Sequence, residues 1–279
     1  MIRIKLENDF DLASTITCGQ IFRFDKEEDN SYTVALHDRI INIYEEDGFL
    51  IVSSNDDKDL EKVVRNYFDL DNNYGVINEY LIGVDSKIKD AIAYSKGLTM
   101  IRQDPFETII EYIISANNGV PQIKSAVDNI ATKFGKKVEF NNKVYYLFPN
   151  YKDLVDVSIE EFRLCKVGFR DKYIKSIIEK LNNREFNLDE FYTLNTTEAL
   201  NKLMENNGIG PKVASCILLF AYQKYDVFPV DTWVKKIMKS NYMIEGEKNI
   251  RAFAVNTYLK YSAIAIQYLF NYSRNRKDA

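Results

Sequence analysis

The first 55 residues alternate in short β-prone runs: Ile21-Phe-Arg-Phe, Tyr32-Thr-Val-Ala-Leu, Ile40-Ile-Asn-Ile-Tyr and Phe49-Leu-Ile-Val. Acidic or Gly-containing turns separate them, which predicts an antiparallel meander. From Asp59 the period lengthens, and Leu60, Val63, Val64, Tyr67 and Phe68 mark a helical stripe. Gly97 reads as a boundary, and beyond it the pattern is almost wholly helical. Asp104-Pro-Phe-Glu opens that region with an N-cap followed by proline at the first helical position. The spacing predicts helices at 105–116, 121–134, 151–155, 158–164, 170–181, 197–205, 211–222, 231–239, 247–258 and 261–275, with a β-hairpin at about 137–147. The expected class is α+β: a small N-terminal antiparallel sheet domain with flanking helices (residues 1–98), then a larger all-helical domain (99–279).

Composition narrows the chemistry. With 46% hydrophobic residues in 279, the chain can bury a sizeable core. Its longest apolar runs, such as Cys216-Ile-Leu-Leu-Phe-Ala221, are too short to span a bilayer. The N-terminal Met1-Ile-Arg-Ile-Lys lacks the apolar stretch of a signal peptide, so a cytoplasmic protein is expected, at the nucleoid if the source is bacterial. Cys18, Cys165 and Cys216 are scattered, which excludes a disulfide framework and a four-cysteine metal or iron–sulfur site. His37 is the only histidine, so Ser-His-Asp, Cys-His and HExxH mechanisms are unavailable. Catalysis would have to run on Lys, Asp, Glu, Tyr, Ser or Cys. The formal charge of −4 argues against a polyanion partner, but the average conceals an asymmetry. Residues 25–71 hold 14 acidic and 5 basic side chains, a net of −9, which leaves +5 on the rest. Charge therefore permits nucleic acid without demonstrating it.

The most informative segment is Asn206-Asn-Gly-Ile-Gly-Pro-Lys-Val-Ala-Ser-Cys216. One helix ends, Gly208 and Gly210 form a tight turn, and Pro211 opens the next helix, leaving backbone N–H groups free at a positive helix end where a phosphate can bind. By itself this is equally an ordinary helix–helix turn. Lys212 adds to it, because a helix N-terminus disfavours an ammonium ion and a nucleophilic lysine needs the neutral amine. Cys216, four residues on, shares its helix face. Asp231, in Phe228-Pro-Val-Asp-Thr-Trp, is an N-cap; such a carboxylate can also stabilise a developing cation.

Gly208-Ile-Gly-Pro-Lys-Val-Ala-Ser-Cys followed by Pro229-Val-Asp-Thr-Trp resembles the signature of the helix-hairpin-helix DNA glycosylase superfamily. Within it the chain is most similar to the 8-oxoguanine DNA glycosylases. The similarity extends to Cys18-Gly-Gln-Ile-Phe-Arg23, Gln103-Asp-Pro-Phe-Glu, Ser115-Ala-Asn-Asn-Gly, Val167-Gly-Phe-Arg-Asp-Lys-Tyr173 and Gln267-Tyr-Leu-Phe270, in the family's order and over nearly the whole chain. The resemblance implies a glycosylase with AP lyase activity on duplex DNA containing 8-oxoguanine, working as a monomer. Lys212 would attack C1′ of a flipped-out nucleotide and Asp231 would stabilise charge on the sugar. The Gly19 carbonyl would accept the lesion's extra N7 hydrogen, with Phe270 and Cys216 stacked on the two faces of the base. Asn117 would fill the vacated stack, Phe169 would wedge it open, Arg170 would meet the orphaned cytosine, and Gly208 and Gly210 would hold a phosphate. The resemblance implies no catalytic cofactor, and a structural monovalent or divalent cation on the carbonyls of 204–209.

Three positions depart from the family. Gln122 stands where a second arginine meets the opposite cytosine, so relaxed opposite-base discrimination is expected. Trp233 replaces a phosphate-binding histidine. The glutamine that reads the lesion's Watson–Crick edge falls at Ile266, with Gln267 adjacent and able to share a face with Phe270. Two rivals remain at this level: an aspartate-only glycosylase for alkylated bases on the same fold, and a non-catalytic hairpin module that only holds DNA.

Overall fold

The computed structural model describes residues 1–275. Strand β1 (Ile2–Lys5) leads into helix α1 (Leu12–Thr17), then β2 (Phe24–Lys26), β3 (Tyr32–Ala35), β4 (Ile40–Glu46) and β5 (Phe49–Ser54). These form one antiparallel sheet in the order β1-β5-β4-β3-β2. Helix α2 (Leu60–Tyr67) covers it, burying Leu60 and Val64, with Phe68 just beyond, against Val34, Ile41, Ile43, Leu50 and Val52. Each such side chain contributes roughly 1.5–3 kcal/mol by leaving water.

Two details differ from the expected meander. The run at 21–24 becomes a strand only from Phe24, because the preceding segment is drawn into a turn. Gln20 causes this: its buried amide donates to Thr99 O (2.7 Å) and accepts from Ile101 N (2.9 Å). Helix α1, rich in β-branched Thr and Ile, is held by Asp11, which accepts from Ser14 N at 2.5 Å.

The helical part begins earlier than Gly97. Helices α3 (Tyr74–Val84) and α4 (Lys89–Tyr94) bury Ile77, Leu81 and Ile92 in the same core as the later helices. Asp85 Oδ2 accepts from Tyr242 (2.6 Å) and Tyr258 (2.5 Å), tying the end of α3 to the C-terminal region. The division between hydrophobic cores therefore lies nearer residue 70, with Ile101 returning to the sheet. Next come α5 (Pro105–Ser115), α6 (Val120–Phe134), the hairpin β6 (Lys137–Phe140) and β7 (Lys143–Tyr146), α7 (Ile159–Leu164), α8 (Asp171–Asn182), α9 (Thr196–Met204), α10 (Pro211–Tyr222), α11 (Thr232–Tyr242), α12 (Glu247–Tyr258) and α13 (Ser262–Asn275). Helices α5 and α10 are buried nearly all round and pack together, with Tyr112 and Phe220 stacked at 5.6 Å. They form the rigid centre on which the site is built. Among the described residues no helix is long and apolar enough to cross a membrane.

Candidate active site

The turn between α9 and α10 is built as a hairpin. Asn206 is buried; its amide donates to Leu203 O (3.2 Å) and accepts from Lys180 Nζ (2.7 Å), while its carbonyl takes the Ile209 N–H (3.1 Å). Gly208 adopts φ +87°, and the Tyr173 ring fills the space where a side chain would project. Gly210, extended at φ −89° and ψ 179°, precedes Pro211, and nothing lies within 4 Å of where its Cβ would be. The backbone there is open to an incoming phosphate.

Lys212 is the second residue of α10 and is half-buried. Its Nζ donates to Ser115 Oγ at 3.1 Å and lies 5.2 Å from the centre of the Tyr112 ring. The Ser115 hydroxyl donates to Tyr112 O at 2.8 Å, so only its lone pairs face the amine. Cys216 lies one turn further on, where burial pushes its thiol up against the opposing pull of Lys212; Asp231 also raises it. Both charges therefore act on one sulfur. Asp231 caps α11, accepting from Val234 N at 2.8 Å, and Lys212 gives its amine to Ser115.

A second group approaches from α1 and α13. Gly19 sits in the turn after α1 at φ +94°. Gln267 Nε2 donates to Cys18 O at 3.3 Å, and a methyl group on Gly19 would lie 3.6 Å from Phe270 Cε1. Ile266 belongs to the hydrophobic core, so Gln267 is the residue turned toward this turn. Tyr112 joins the two groups: burial drives its phenol well above the ordinary range, and Cys216, Glu111 and Cys18 add to that.

Asn117, Phe169 and Arg170 form a third cluster at the C-terminus of α5, two residues beyond Ser115. Asn117 is exposed at φ +56°. Phe169 is 62% exposed, with its ring 4.5 Å from the Arg170 guanidinium and edge-on to Tyr173. Arg170 departs from the expected outward reach. It is buried, with Nε donating to Ala116 O (3.1 Å), a carbonyl at the end of α5 that lacks an intrahelical donor, and Nη1 donating to Val167 O (3.2 Å). In this state it braces the loop carrying Asn117. Gln122 and Trp233 are exposed.

Sequence reasoning singled out Lys212, Cys216 and Asp231 but not Ser115 or Tyr112 as individual site residues. Their spacing of three on α5, just ahead of Asn117, was the available signal.

The fold and this site define a helix-hairpin-helix DNA repair architecture. Residues 1–109 match the 8-oxoguanine DNA glycosylase N-terminal domain, and residues 110–256 match the HhH-GPD superfamily base excision DNA repair protein family. The chain belongs to the HhH-GPD superfamily, with the 8-oxoguanine DNA glycosylase N-terminal domain in front. It is 29% identical over 241 residues to a probable N-glycosylase/DNA lyase of Methanothermobacter thermautotrophicus, covering 78% of this chain and 76% of that one. The structure of MBOgg1 with a low-affinity DNA ligand superposes with TM-score 0.91 at 40% identity, covering 95% and 92% of the two chains. The Clostridium acetobutylicum 8-oxoguanine glycosylase/lyase, bound to duplex DNA with cytosine opposite 8-oxoguanine, gives TM-score 0.91 at 35% identity over 98% of both. A 3-methyladenine DNA glycosylase from Archaeoglobus fulgidus shares the fold (TM-score 0.84, 23% identity).

Proposed function

We propose that the protein excises 8-oxoguanine from duplex DNA and then cleaves the strand at the resulting site, in base excision repair. The observation that carries the mechanism is Lys212 at the start of the second hairpin helix, its amine held by Ser115 beside Tyr112. The target base must leave the stack for this amine to reach the sugar. Neutral Lys212 forms a bond to C1′ as the bond from C1′ to the base nitrogen breaks, the electron pair leaving with the base, which takes up a proton. The amine proton passes to the ring oxygen as the C1′–O4′ bond breaks, which opens the sugar and leaves the Schiff base. Removal of a C2′ proton then expels the 3′ phosphate by β-elimination. Asp231 stabilises the positive charge that builds on the sugar.

Gly19, Gln267 and Phe270 form one side of the lesion pocket and Cys216 the other. Gly208 and Gly210 hold the backbone, while Asn117 and Phe169 enter the duplex. Arg170 must exchange its carbonyl partners to reach the opposite base, and with Gln122 in place of the family's second arginine discrimination among opposite bases is relaxed. A structural cation on the remaining carbonyls of 204–209 would take no chemical part. The protein acts on duplex DNA as a monomer.

The test is borohydride trapping on a duplex with one 8-oxoguanine opposite cytosine. A covalent adduct is expected with the unmodified protein and none with Lys212→Gln. Excision without an adduct would make the protein a monofunctional glycosylase and end the role given to Lys212.

A further inference from the structure

Helix α13 presents a third side chain to the Gly19 turn. Gln267, Phe270 and Arg274 follow the i, i+3, i+7 spacing of one helix face. Gln267 reaches Cys18 O. At Gly19 itself, the point a side chain would occupy lies 3.6 Å from Phe270 Cε1 and only 3.0 Å from Arg274 Nη1. The guanidinium thus takes up room that exists because residue 19 has no side chain. Arg274 is exposed, and among the described residues it makes no hydrogen bond or ion pair. A planar set of five N–H donors lies beside the Gly19 turn, without an acceptor among the described residues.

We infer that Arg274 reads the lesion, donating to a carbonyl oxygen of the flipped oxopurine; the inference rests on the glycosylase reading above. Two observations favour the base over the DNA backbone as its partner. Its Nη1 and the Phe270 ring converge on one point beside Gly19, whereas the phosphate-binding turn at Gly208 and Gly210 belongs to the α9–α10 hairpin. The local acceptors are also complementary. Gly19 supplies a carbonyl for a ring N–H, and Gln267 spends one of its two amide N–H groups on Cys18 O, so the guanidinium adds a fork of donors for the oxygens that an oxidised guanine carries. With isoleucine at 266, Arg274 supplies that donor and sets selectivity for purines bearing carbonyls.

The experiment compares two duplexes of the same sequence, one carrying 8-oxoguanine and one a preformed abasic site, under single turnover with saturating enzyme. Arg274→Gln is expected to slow excision of 8-oxoguanine by tenfold or more and to leave abasic-site cleavage within twofold, since an abasic site offers no base to read. Arg274→Lys, which keeps the charge but loses the planar fork, should fall between. Equal slowing on both duplexes would assign the guanidinium to the backbone and overturn the inference, as would no slowing on either. If the unmodified protein cuts abasic DNA but leaves 8-oxoguanine in place, the substrate reading fails first and takes the inference with it.

Discussion

The two hairpin glycines should separate folding from DNA binding. Gly208 has φ +87°, and a Cβ there would lie 2.6 Å from Tyr173 Cδ2 and 2.9 Å from its Cβ. The left-handed backbone costs a residue with a side chain about 1–2 kcal/mol. Forcing a carbon onto a ring whose own Cβ is also in the way costs about 1–3 kcal/mol more, because the ring root cannot swing aside as a side-chain tip can. Gly208→Ala should therefore destabilise by about 2–5 kcal/mol, lowering the melting midpoint by roughly 5–15 °C for a chain of this size. Gly210 has no such constraint, since its φ of −89° suits any residue and its Cβ would meet nothing. Gly210→Ala should melt within about 2 °C of the unmodified protein, yet bind duplex DNA at least fivefold more weakly, because the added methyl group occupies the phosphate's approach. Calorimetry and fluorescence-anisotropy titrations of both variants read the two effects. The reasoning is refuted if Gly208→Ala melts normally, or if Gly210→Ala binds DNA as tightly as the parent.

Asp231→Asn keeps an N-cap side chain of equal quality, so the melting midpoint should hold while 8-oxoguanine excision falls roughly a hundredfold or more; an unchanged rate would leave Asp231 a cap alone. Ser115→Ala removes the acceptor for Lys212 and should slow adduct trapping by about two- to tenfold, with recovery in Ser115→Thr; a slowed variant that Thr does not rescue would point to packing instead. The buried Glu111 carboxyl is held well above the ordinary carboxylate range, first by burial and then by Glu107, and Oε2 has no hydrogen-bond partner. The folded state therefore holds a proton that the unfolded state releases from about pH 4.5 upward, so this contribution to stability is present in acid and lost as pH rises. Glu111→Gln should flatten the decline in melting midpoint between pH 5 and 8, and parallel pH profiles for the two proteins would count against that assignment.

The elements beyond Asp104 were legible because their signals are strong and local. Asp104 caps α5 through Glu107 N, Pro211 opens α10, and buried positions recur at helical spacing. Helix α1 was hidden because Thr15, Ile16 and Thr17 favour strands, and only its cap and tertiary contacts decide the matter. Strand β1 depends on pairing with β5, far along the chain. In the site, Lys212 and Asp231 could be found because each has a special place at a helix start. Ser115, Tyr112 and Arg274 carry no such mark. Their relevance comes from which helix faces which, and periodicity gives a face without naming its neighbour. Arg170 shows the same limit: sequence places the residue, but the two carbonyls that hold it arise from the packing of α5 against the 167–170 turn.

The charge asymmetry acquires a meaning once the turn at Gly19 is located. The segment 25–71, with its net of −9, makes up most of the sheet, and such a surface repels a phosphate backbone. Yet residue 19, proposed to face the base, comes from the same domain. The conflict is resolved by where the turn is anchored. Gln20 is bonded to Thr99 and Ile101, Gln103 Nε2 donates to Gln20 O, and Gln103 N donates to Phe220 O on α10. These bonds detach the Cys18–Gly19 turn from the sheet and fix it to the helical core that carries Lys212. On the proposed function, the helical domain would bind the backbone while the acidic sheet stays away from it, and the base would meet a glycine turn fixed to the same rigid centre as Lys212. A chain with net negative charge could in this way serve a polyanion, because the sheet domain's proposed contribution to the lesion pocket comes through a single uncharged turn.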